Sequence, residues 1–439
     1  MSEEQSPVAI QVVRYGVPLI IVIFYLTASL TFAYTPESTF LFLQAVGGFP
    51  SPYHGGTSPS PLWHLLVTTG GWLHLDAVLT VKVFSMLFCS FAVLIAYLFA
   101  VEAVADRVAG LFVGLCVAVE PWLVQLGPSG SGMSLGLALS LAALFFMKRG
   151  DYPLAALAAG LCSVVLWQGI GLVFAVVADM AANRTVMRDG RKSAATGAFF
   201  FIGVVAIWLL YAIVYRVPVV PALVPFGDFP RASAPEIVVF VILGGTVVAA
   251  PVVWAKLVGH TEYLLRIGIG GCVWCVWLIL TAVLSDVELA RLAIPVLITY
   301  AFLGLEVLLV AVRRKHLLYT AALVLSVPLL LAYQMQFYSV VRPSMRTSIQ
   351  EFMVLEAAAS WLRVAADNEA TVAAEKPGII GYYSAKKIRP FEPYTADKTD
   401  FIVTSAHEVE GYDRVFMPGR EYSPSDEGAF SPVAVWKRK

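Results

Sequence analysis

The chain has 439 residues, of which 59% are hydrophobic and 14% are charged, and its mean hydropathy is +0.78. Soluble domains have roughly 45–50% apolar residues, so this composition excludes an ordinary soluble globular protein and indicates a polytopic membrane protein. The formal net charge is +0, which excludes the basic surface expected of a nucleic-acid-binding protein.

Apolar runs long enough to cross a bilayer recur along the chain, since a crossing helix needs roughly 20 apolar residues. Segment 153–182 is longer than one crossing, and Gly160, Gly169 and Gly171 weaken its middle. We therefore predict two short crossings there, hinged at Trp167–Gly169, and about eleven crossings in total. The candidate spans are 16–34, 77–100, 108–126, 132–147, 153–182, 194–215, 235–256, 264–285, 289–312 and 317–338.

The distribution of basic residues predicts which side each loop occupies, because Lys and Arg remain preferentially on the cytoplasmic side of short loops. With the N-terminus inside, the outer short loops carry only Arg216, Arg231 and Arg291. This bias predicts an integral protein of the cell (plasma or inner) membrane with a cytoplasmic N-terminus. The inner loops carry Arg14, Arg107, Lys148, Arg149, Arg184, Arg188, Arg191, Lys192, Lys256, Arg266, Arg313, Arg314 and Lys315.

Residues 35–76 form a long outer loop in this topology. Its apolar segments STFLFLQAV and PLWHLLVTTGGWL are too short to cross, so we predict two helices lying along the membrane surface, joined by a connector rich in Pro and Gly. His54, His64 and His74 lie in the loop. Their spacing matches no metal-ligand motif, which favours interfacial or capping histidines over a metal site.

The composition changes after the last predicted span. We assign residues 1–338 to a transmembrane domain and 339–439 to a small extracytoplasmic α/β domain. A helix is predicted at 347–366, followed by strand-like runs at TVAA, DFIVTS, DRVFM and VAVWK.

Charged residues at the outer face are candidates for a functional site, because a charge at the centre of a membrane helix costs roughly 2.5–3.5 kcal/mol on insertion scales. These candidates are Glu37, Asp76 and Glu120, together with Asp286, Glu288 and Arg291 around the start of the ninth span. Four of them have a structural alternative. Glu37 would cap the following helix, Arg291 would snorkel to the interface, and Asp76 and Glu120 would be solvated helix ends. Tyr382 and its neighbour Tyr383 either pack the C-terminal domain onto the membrane part or line an acceptor groove.

Several motifs together resemble the GT-C glycosyltransferases, in particular arabinofuranosyl-, aminoarabinose- and mannosyltransferases that use polyprenyl-phosphate sugars. They are a first span followed by Glu37, the element TSPSPLW (Thr57–Trp63), and SGM (Ser131–Met133) after the third span. The run RLAIPVL from Arg291 is similar to an element that opens a late span, and residues 356–388, with a WL helix, a VA strand and a GxIGYxS turn, resemble the segment after the last span.

The resemblance implies an all-α GT-C-like membrane fold with a small C-terminal α/β domain. It also implies transfer of a sugar from a polyprenyl-phosphate donor to an extracytoplasmic glycan, lipid or protein acceptor, with inversion. Glu37 would be the catalytic base and Arg291 the partner of the donor phosphate. Glu120, Asp76, Tyr382 and His54 are further candidates for substrate binding, and a divalent cation, Mg²⁺ or Mn²⁺, is left open as a cofactor.

The sequence departs from the family pattern at three polar positions. The family has an Asp, often in an acidic pair, where this chain has Thr35-Pro36-Glu37, an acidic residue where Ser134 stands, and an Arg-Pro-acid turn where Trp167-Gln168-Gly169 stands. The alternative is therefore a noncatalytic GT-C-like subunit that binds or scaffolds lipid, glycan or protein partners. A transporter is disfavoured because no repeated halves with matched broken helices are found.

Overall fold

The computed structural model describes only part of the chain, and that part is mostly helical with a small sheet near the C-terminus. It divides into two compact units. The first takes the described residues of Met1–Phe32, Ser60–Gly70 and Leu79–Met335, and the second takes those of Gly71–Val78 and Gln336–Lys439. The described residues are 7–30, 61–72, 76–104, 107–165, 169–183, 188–215, 269–284, 352–367, 369–386, 388–391, 399–405, 409–417 and 433–439.

Helices account for the described residues up to 284. By length and apolar composition, two of these helices could cross a membrane, over Ala77–Glu102 and Gly190–Ile207. The predicted spans 235–256, 289–312 and 317–338 lie outside the described residues. In chain order the helices are α1 (Pro7–Leu30), α2 (Pro61–Trp72), α3 (Ala77–Val104), α4 (Arg107–Ala118), α5 (Pro121–Ser129), α6 (Met133–Arg149), α7 (Tyr152–Val165), α8 (Ile170–Ala182), α9 (Gly190–Tyr215) and α10 (Ile269–Leu284).

Two predicted spans are broken into shorter helices. The break in 153–182 is confirmed, since α7 ends at Val165 and α8 begins at Ile170. The prediction of one continuous helix over 108–126 is wrong. Pro121 takes the first turn of α5 and Glu120 caps it, so α4 ends before them. Proline is tolerated at the start of a helix, where its missing N–H would have no partner, and it interrupts a helix elsewhere.

Helices α1, α3, α4 and α5 pack around small residues in the core of the first unit. A side chain added at Gly114 of α4 would lie 3.0 Å from the Cδ1 of Ile21 and 3.2 Å from the Cβ of Tyr97, so glycine lets α1 and α3 approach closely. Further along, the hydroxyl of Tyr25 in α1 donates to the carbonyl of Leu123 in α5, at 3.2 Å. These contacts show that α1 runs parallel to α4 and α5.

The second unit contains a five-stranded sheet with strand order β2-β1-β3-β5-β4. The three strands β2, β1 and β3 are parallel, and β5 pairs antiparallel with both β3 and β4. The elements are the helix α11 (352–365), β1 (Val372–Ala374), α12 (Pro377–Ser384), β2 (Ile388–Pro390), β3 (Phe401–Thr404), β4 (Tyr412–Phe416) and β5 (Ala434–Arg438).

The predicted strands TVAA, DFIVTS, DRVFM and VAVWK are confirmed as β1, β3, β4 and β5, and the predicted helix is present as α11. The sequence missed β2, a three-residue edge strand that ends in Pro390. The predicted turn at GxIGYxS is wrong, because these residues form α12. Pro377 starts that helix and Ala385 ends it in the left-handed conformation, with φ 56°.

Carboxylates hold both ends of the β1–β3 pair. At one end the Asp400 Oδ2 accepts from the backbone N–H and the hydroxyl of Thr371, at 2.7 and 2.9 Å. At the other end the Glu375 carboxylate accepts from the hydroxyl of Thr404 and from the backbone N–H of Ser405, the latter at 3.1 Å. Short parallel strands have few ladder hydrogen bonds, so these side-chain bonds fix the register of the pair.

Candidate functional site

Trp63, the last residue of TSPSPLW, meets Gly132 of the SGM motif in the first unit, although the two are distant in sequence. A Cβ placed on Gly132 would lie 2.9 Å from the Cγ and 3.1 Å from the Cδ1 of Trp63, so the indole packs directly on the glycine backbone. Trp63 is only 3% exposed, and its ring also packs edge-on against Phe88 with 6.2 Å between the centroids. Any larger residue than glycine at position 132 would displace this ring.

The short helix α5 carries the chain into SGM, and Glu120 fixes its start. The Glu120 Oε2 accepts from the backbone N–H of Leu123 at 2.6 Å, and the residue is 1% exposed. A carboxylate at a helix N-terminus is stabilised by the helix dipole and by the first N–H groups. The residue needs that compensation because a buried charge is otherwise costly.

Two hydroxyl groups hold the rest of α5 and its C-terminal end. The hydroxyl of Tyr25 donates to the carbonyl of Leu123 at 3.2 Å, so both backbone groups of Leu123 are bound by buried side chains. The Ser85 Oγ donates to the carbonyl of Leu126 at 2.8 Å and lies 3.4 Å from the carbonyl of Ser131. We define Tyr25, Trp63, Ser85, Glu120 and Ser131–Met133 as the motif junction.

The position of Glu120 differs from the solvated helix end that the sequence offered as its alternative. The residue does begin a helix, but it is buried rather than solvated. Its substrate-binding role stays a prediction. The geometry favours an indirect role, in which the carboxylate orients α5 and through it the SGM segment.

A second group of candidate residues lies within the second unit. The rings of Tyr382 and Tyr383 in α12 pack edge to face at 5.2 Å between centroids, and Phe352 of α11 packs on Tyr383 at 6.0 Å. Val78 packs against the same apolar core as these three rings, which brings the neighbouring Asp76 to this surface. We define Asp76, Phe352, Glu356, Tyr382 and Tyr383 as the aromatic–acidic cluster.

Burial and nearby carboxylates keep both tyrosines of this cluster protonated. Burial, with a smaller effect from the charge of Asp76, raises the pKa of Tyr382 above its usual value. Burial followed by the charge of Glu356 raises the pKa of Tyr383 to about 12. The sequence singled out Asp76 and Tyr382 for separate reasons, and the structure brings them together.

The other predicted site residues are placed only in part. Glu37, His54 and Arg291 lie outside the described residues. His64 follows Trp63 on α2 and is buried, which lowers its pKa to about 4 and leaves its imidazole neutral at physiological pH. Among the residues that the structure describes, no three His, Cys, Asp or Glu side chains are grouped as metal ligands.

Sequence reasoning missed Tyr25 and Ser85 because both lie within apolar runs assigned to membrane spans. A hydroxyl inside such a run is itself a signal, since it must find a hydrogen-bond partner away from water. That signal identifies the residue but not its partner. In this case the partners are backbone carbonyls of α5 and of the segment that follows it.

Comparison with known proteins gives no further constraint on the site. No family model and no curated protein matches the chain.

Proposed function

We propose that the protein is a GT-C-type membrane glycosyltransferase. It would transfer a sugar from a polyprenyl-phosphate donor to an extracytoplasmic glycan, lipid or protein acceptor, with inversion, in glycan biosynthesis of the cell envelope. The observation that carries this proposal is the packing of Trp63 on Gly132. The motif resemblance rests on several separate short elements. Trp63 and Gly132 belong to two of these elements, and they pack against each other.

The helix directions are in line with the sidedness that the basic residues predict. Helix α1 runs parallel to α4 and α5, as expected if the first and third spans both leave the cytoplasm. Helices α8 and α10 are joined at the end that the basic residues assign to the cytoplasm, where the Asp179 Oδ1 accepts from the N–H of Gly270 at 3.0 Å. The Asp179 Oδ2 also accepts from the hydroxyl of Tyr152 at 3.0 Å.

In this proposal the acceptor hydroxyl attacks the anomeric carbon from the face opposite the donor phosphate. Glu37 takes the proton of the acceptor, since a carboxylate within hydrogen-bond reach increases the nucleophilicity of a hydroxyl. The bond between the anomeric carbon and the phosphate oxygen breaks, and polyprenyl phosphate leaves with the electron pair. Arg291 neutralises the charge that develops on the phosphate. His54 and Tyr382 contribute to substrate binding.

The decisive experiment is a transfer assay with the full-length protein in lipid nanodiscs. The assay supplies polyprenyl-phosphate mannose or polyprenyl-phosphate arabinofuranose together with a lipid extract of the source membrane as acceptor. We expect Glu37→Gln to reduce transfer at least about a hundredfold, within the range that general base catalysis contributes. Wild-type protein that transfers neither sugar, or a Glu37→Gln variant with full activity, would contradict the proposal.

One observation favours the noncatalytic subunit as a second candidate. In the described part of the junction, the carboxylate of Glu120 is buried and occupied as a helix cap, and Ser134 stands where the family has an acid. A subunit of this kind would keep the packing of the motifs but would not catalyse sugar transfer. It would bind polyprenyl phosphate in the same nanodiscs and leave the glycan of the cell unchanged when Glu37 is replaced.

A further inference from the structure

We propose that the exposed side of α9 binds an anionic phospholipid of the cytoplasmic leaflet. Its headgroup contacts Arg188, Arg191 and Lys192, which we define as the basic end of α9, and its acyl chains lie along the helix. The inference goes beyond the proposed function, which concerns the outer face, and rests on it only for the orientation of the chain in the membrane. The juxtaposition that carries it is a group of exposed basic side chains at the start of an apolar helix that is buried along one side.

Helix α9 packs on α7 through a narrow side that contains a glycine. A Cβ placed on Gly203 would lie 3.1 Å from the carbonyl oxygen of Leu157. A Cβ placed on Gly160 of α7 would lie 2.8 Å from the carbonyl oxygen of Phe200, so the two backbones approach closely here. Elsewhere α9 is open, since a Cβ on Gly197 would meet nothing within 4 Å.

The open side of α9 is apolar and has the length of a lipid layer. Ile202, Leu209 and Ile213 follow one another at seven and four residues, so they lie on one side of the helix. From residue 194 to Ile213 the helix extends about 28 Å, close to the roughly 30 Å of the hydrocarbon layer. The large apolar side chains exposed on α9 are Phe199, Phe201, Ile202, Leu209, Leu210 and Ile213.

The basic end lies directly at the start of this apolar side. Arg188, Arg191 and Lys192 are all exposed. Within the part of the chain that the structure describes, none of the three side chains forms an ion pair. Arg191 precedes Ile202 and Leu209 by about three and five helical turns, so it lies on the same side of α9 as they do. A lipid can therefore contact the basic and the apolar parts together.

Asp189, the acidic residue within the basic end, is engaged by the backbone. Its Oδ1 accepts from the N–H groups of Arg191 and Lys192, at 3.1 and 3.3 Å. These N–H groups at the start of α9 are therefore satisfied within the chain, and contacts to a headgroup fall to the basic side chains. A guanidinium matches a phosphate with two parallel hydrogen bonds, and an ammonium adds a point charge.

Charge favours a phospholipid over a second copy of the chain. The basic residues predict that this end of α9 is cytoplasmic, and each Lys or Arg near an anionic cytoplasmic leaflet strengthens binding roughly fivefold. A second copy packed on the same side in the same orientation would bring two basic ends together, and like charges disfavour that contact.

The test is native mass spectrometry of the full-length protein in detergent. The protein is titrated with phosphatidylglycerol and with phosphatidylcholine that has the same acyl chains. We expect a Kd at least about tenfold lower for phosphatidylglycerol, and a preference below about threefold in the triple variant Arg188→Gln, Arg191→Gln, Lys192→Gln. Equal affinities in the wild type, or an unchanged preference in the triple variant, would overturn the proposal.

Arg149→Gln is the matched control for charge. Arg149 is exposed and is assigned to the same side of the membrane, but the other residues of α6 are buried or half-buried. Its guanidinium lies 5.6 Å from the centroid of the Phe145 ring of the same helix. The variant should keep the preference for phosphatidylglycerol. A loss as large as that of the triple variant would assign the preference to overall positive charge and overturn the site.

Glycerophosphoglycerol, the same headgroup without acyl chains, tests the apolar side of α9. It should bind at least about a hundredfold more weakly than phosphatidylglycerol, because burial of the chains adds to the affinity. Equal binding of the two would overturn the role of the apolar side. A dimer that retains both phospholipids equally would assign this side to a second copy and overturn the proposal.

The outcomes separate this inference from the proposed function. A protein that transfers no sugar, but prefers phosphatidylglycerol through the basic end, would support this site and contradict the proposed function. A protein that is active in transfer and binds both phospholipids equally would overturn this site alone.

Discussion

The motif junction of the first unit and the aromatic–acidic cluster of the second each contain a carboxylate that the sequence singled out, and the two differ in burial. Glu120 is 1% exposed and bonded to the backbone of the helix that it starts, whereas Asp76 is exposed at the edge of aromatic rings. A buried carboxylate bound to its own backbone orients structure. An exposed carboxylate such as Asp76 lies at the protein surface, where its replacement leaves no buried group without a partner.

The strongest test of this contrast is the removal of the buried cap. Glu120→Ala leaves the N–H of Leu123 without its partner in the core, and we expect a loss of about 2 kcal/mol in the free energy of unfolding. Thermal unfolding of the full-length protein in detergent measures it. Glu120→Gln retains an oxygen that can accept the same hydrogen bond and should lose less. If Glu120→Ala is as stable as the wild type, Glu120 does not position α5.

A second test adds a methyl group where the two motifs meet. Gly132→Ala places a Cβ 2.9 Å from the Trp63 ring, and we expect a loss of about 1–2 kcal/mol together with reduced transfer activity. The control is Gly197→Ala on α9, where a Cβ would meet nothing within 4 Å. Equal stability and activity of the two variants would show that the contact between the motifs does not matter.

A smaller effect is expected from acid at the β1–β3 pair of the second unit. Hydrogen bonds from the backbone and then from the hydroxyl of Thr371 hold the pKa of Asp400 below its usual value. The folded state therefore favours the ionised form. This stabilisation is present above the unfolded pKa of about 3.9 and is lost as the pH falls through the lower folded pKa.

Hydrogen exchange of peptides that cover β1 and β3 measures this loss. Protection should fall in the wild type as the pH is lowered below about 4. In Asp400→Asn it should be lower at neutral pH and change less with acid. An identical pH profile in both proteins would exclude Asp400 as the source.

The smallest effect on stability is expected at the other carboxylate of the contrast. Asp76→Asn changes an exposed side chain, so the free energy of unfolding should change by less than about 0.5 kcal/mol. Thermal unfolding beside Glu120→Ala gives the direct comparison. If Asp76→Asn loses as much free energy of unfolding as Glu120→Ala, Asp76 is a structural residue and the two carboxylates do not differ in role.

Much of the fold could be predicted because it depends on local patterns. The period of apolar residues predicted α11 and the strands β1, β3, β4 and β5, and the glycines of 153–182 predicted the break between α7 and α8. Local rules failed where two signals compete. The apolar run 108–126 predicted one span, although Pro121 within it starts a new helix. Gly and Tyr residues predicted a turn where α12 forms.

By itself the sequence determined which residues are apolar, where α11 and four of the strands lie, and which carboxylates stand at the ends of elements, because these depend on neighbours along the chain. Only the tertiary structure decided that Trp63 packs on Gly132, that Glu120 is buried, and that Asp76 shares a surface with Tyr382. Burial and proximity between distant segments are set by the packing of whole elements. The chemistry of a carboxylate follows from that packing.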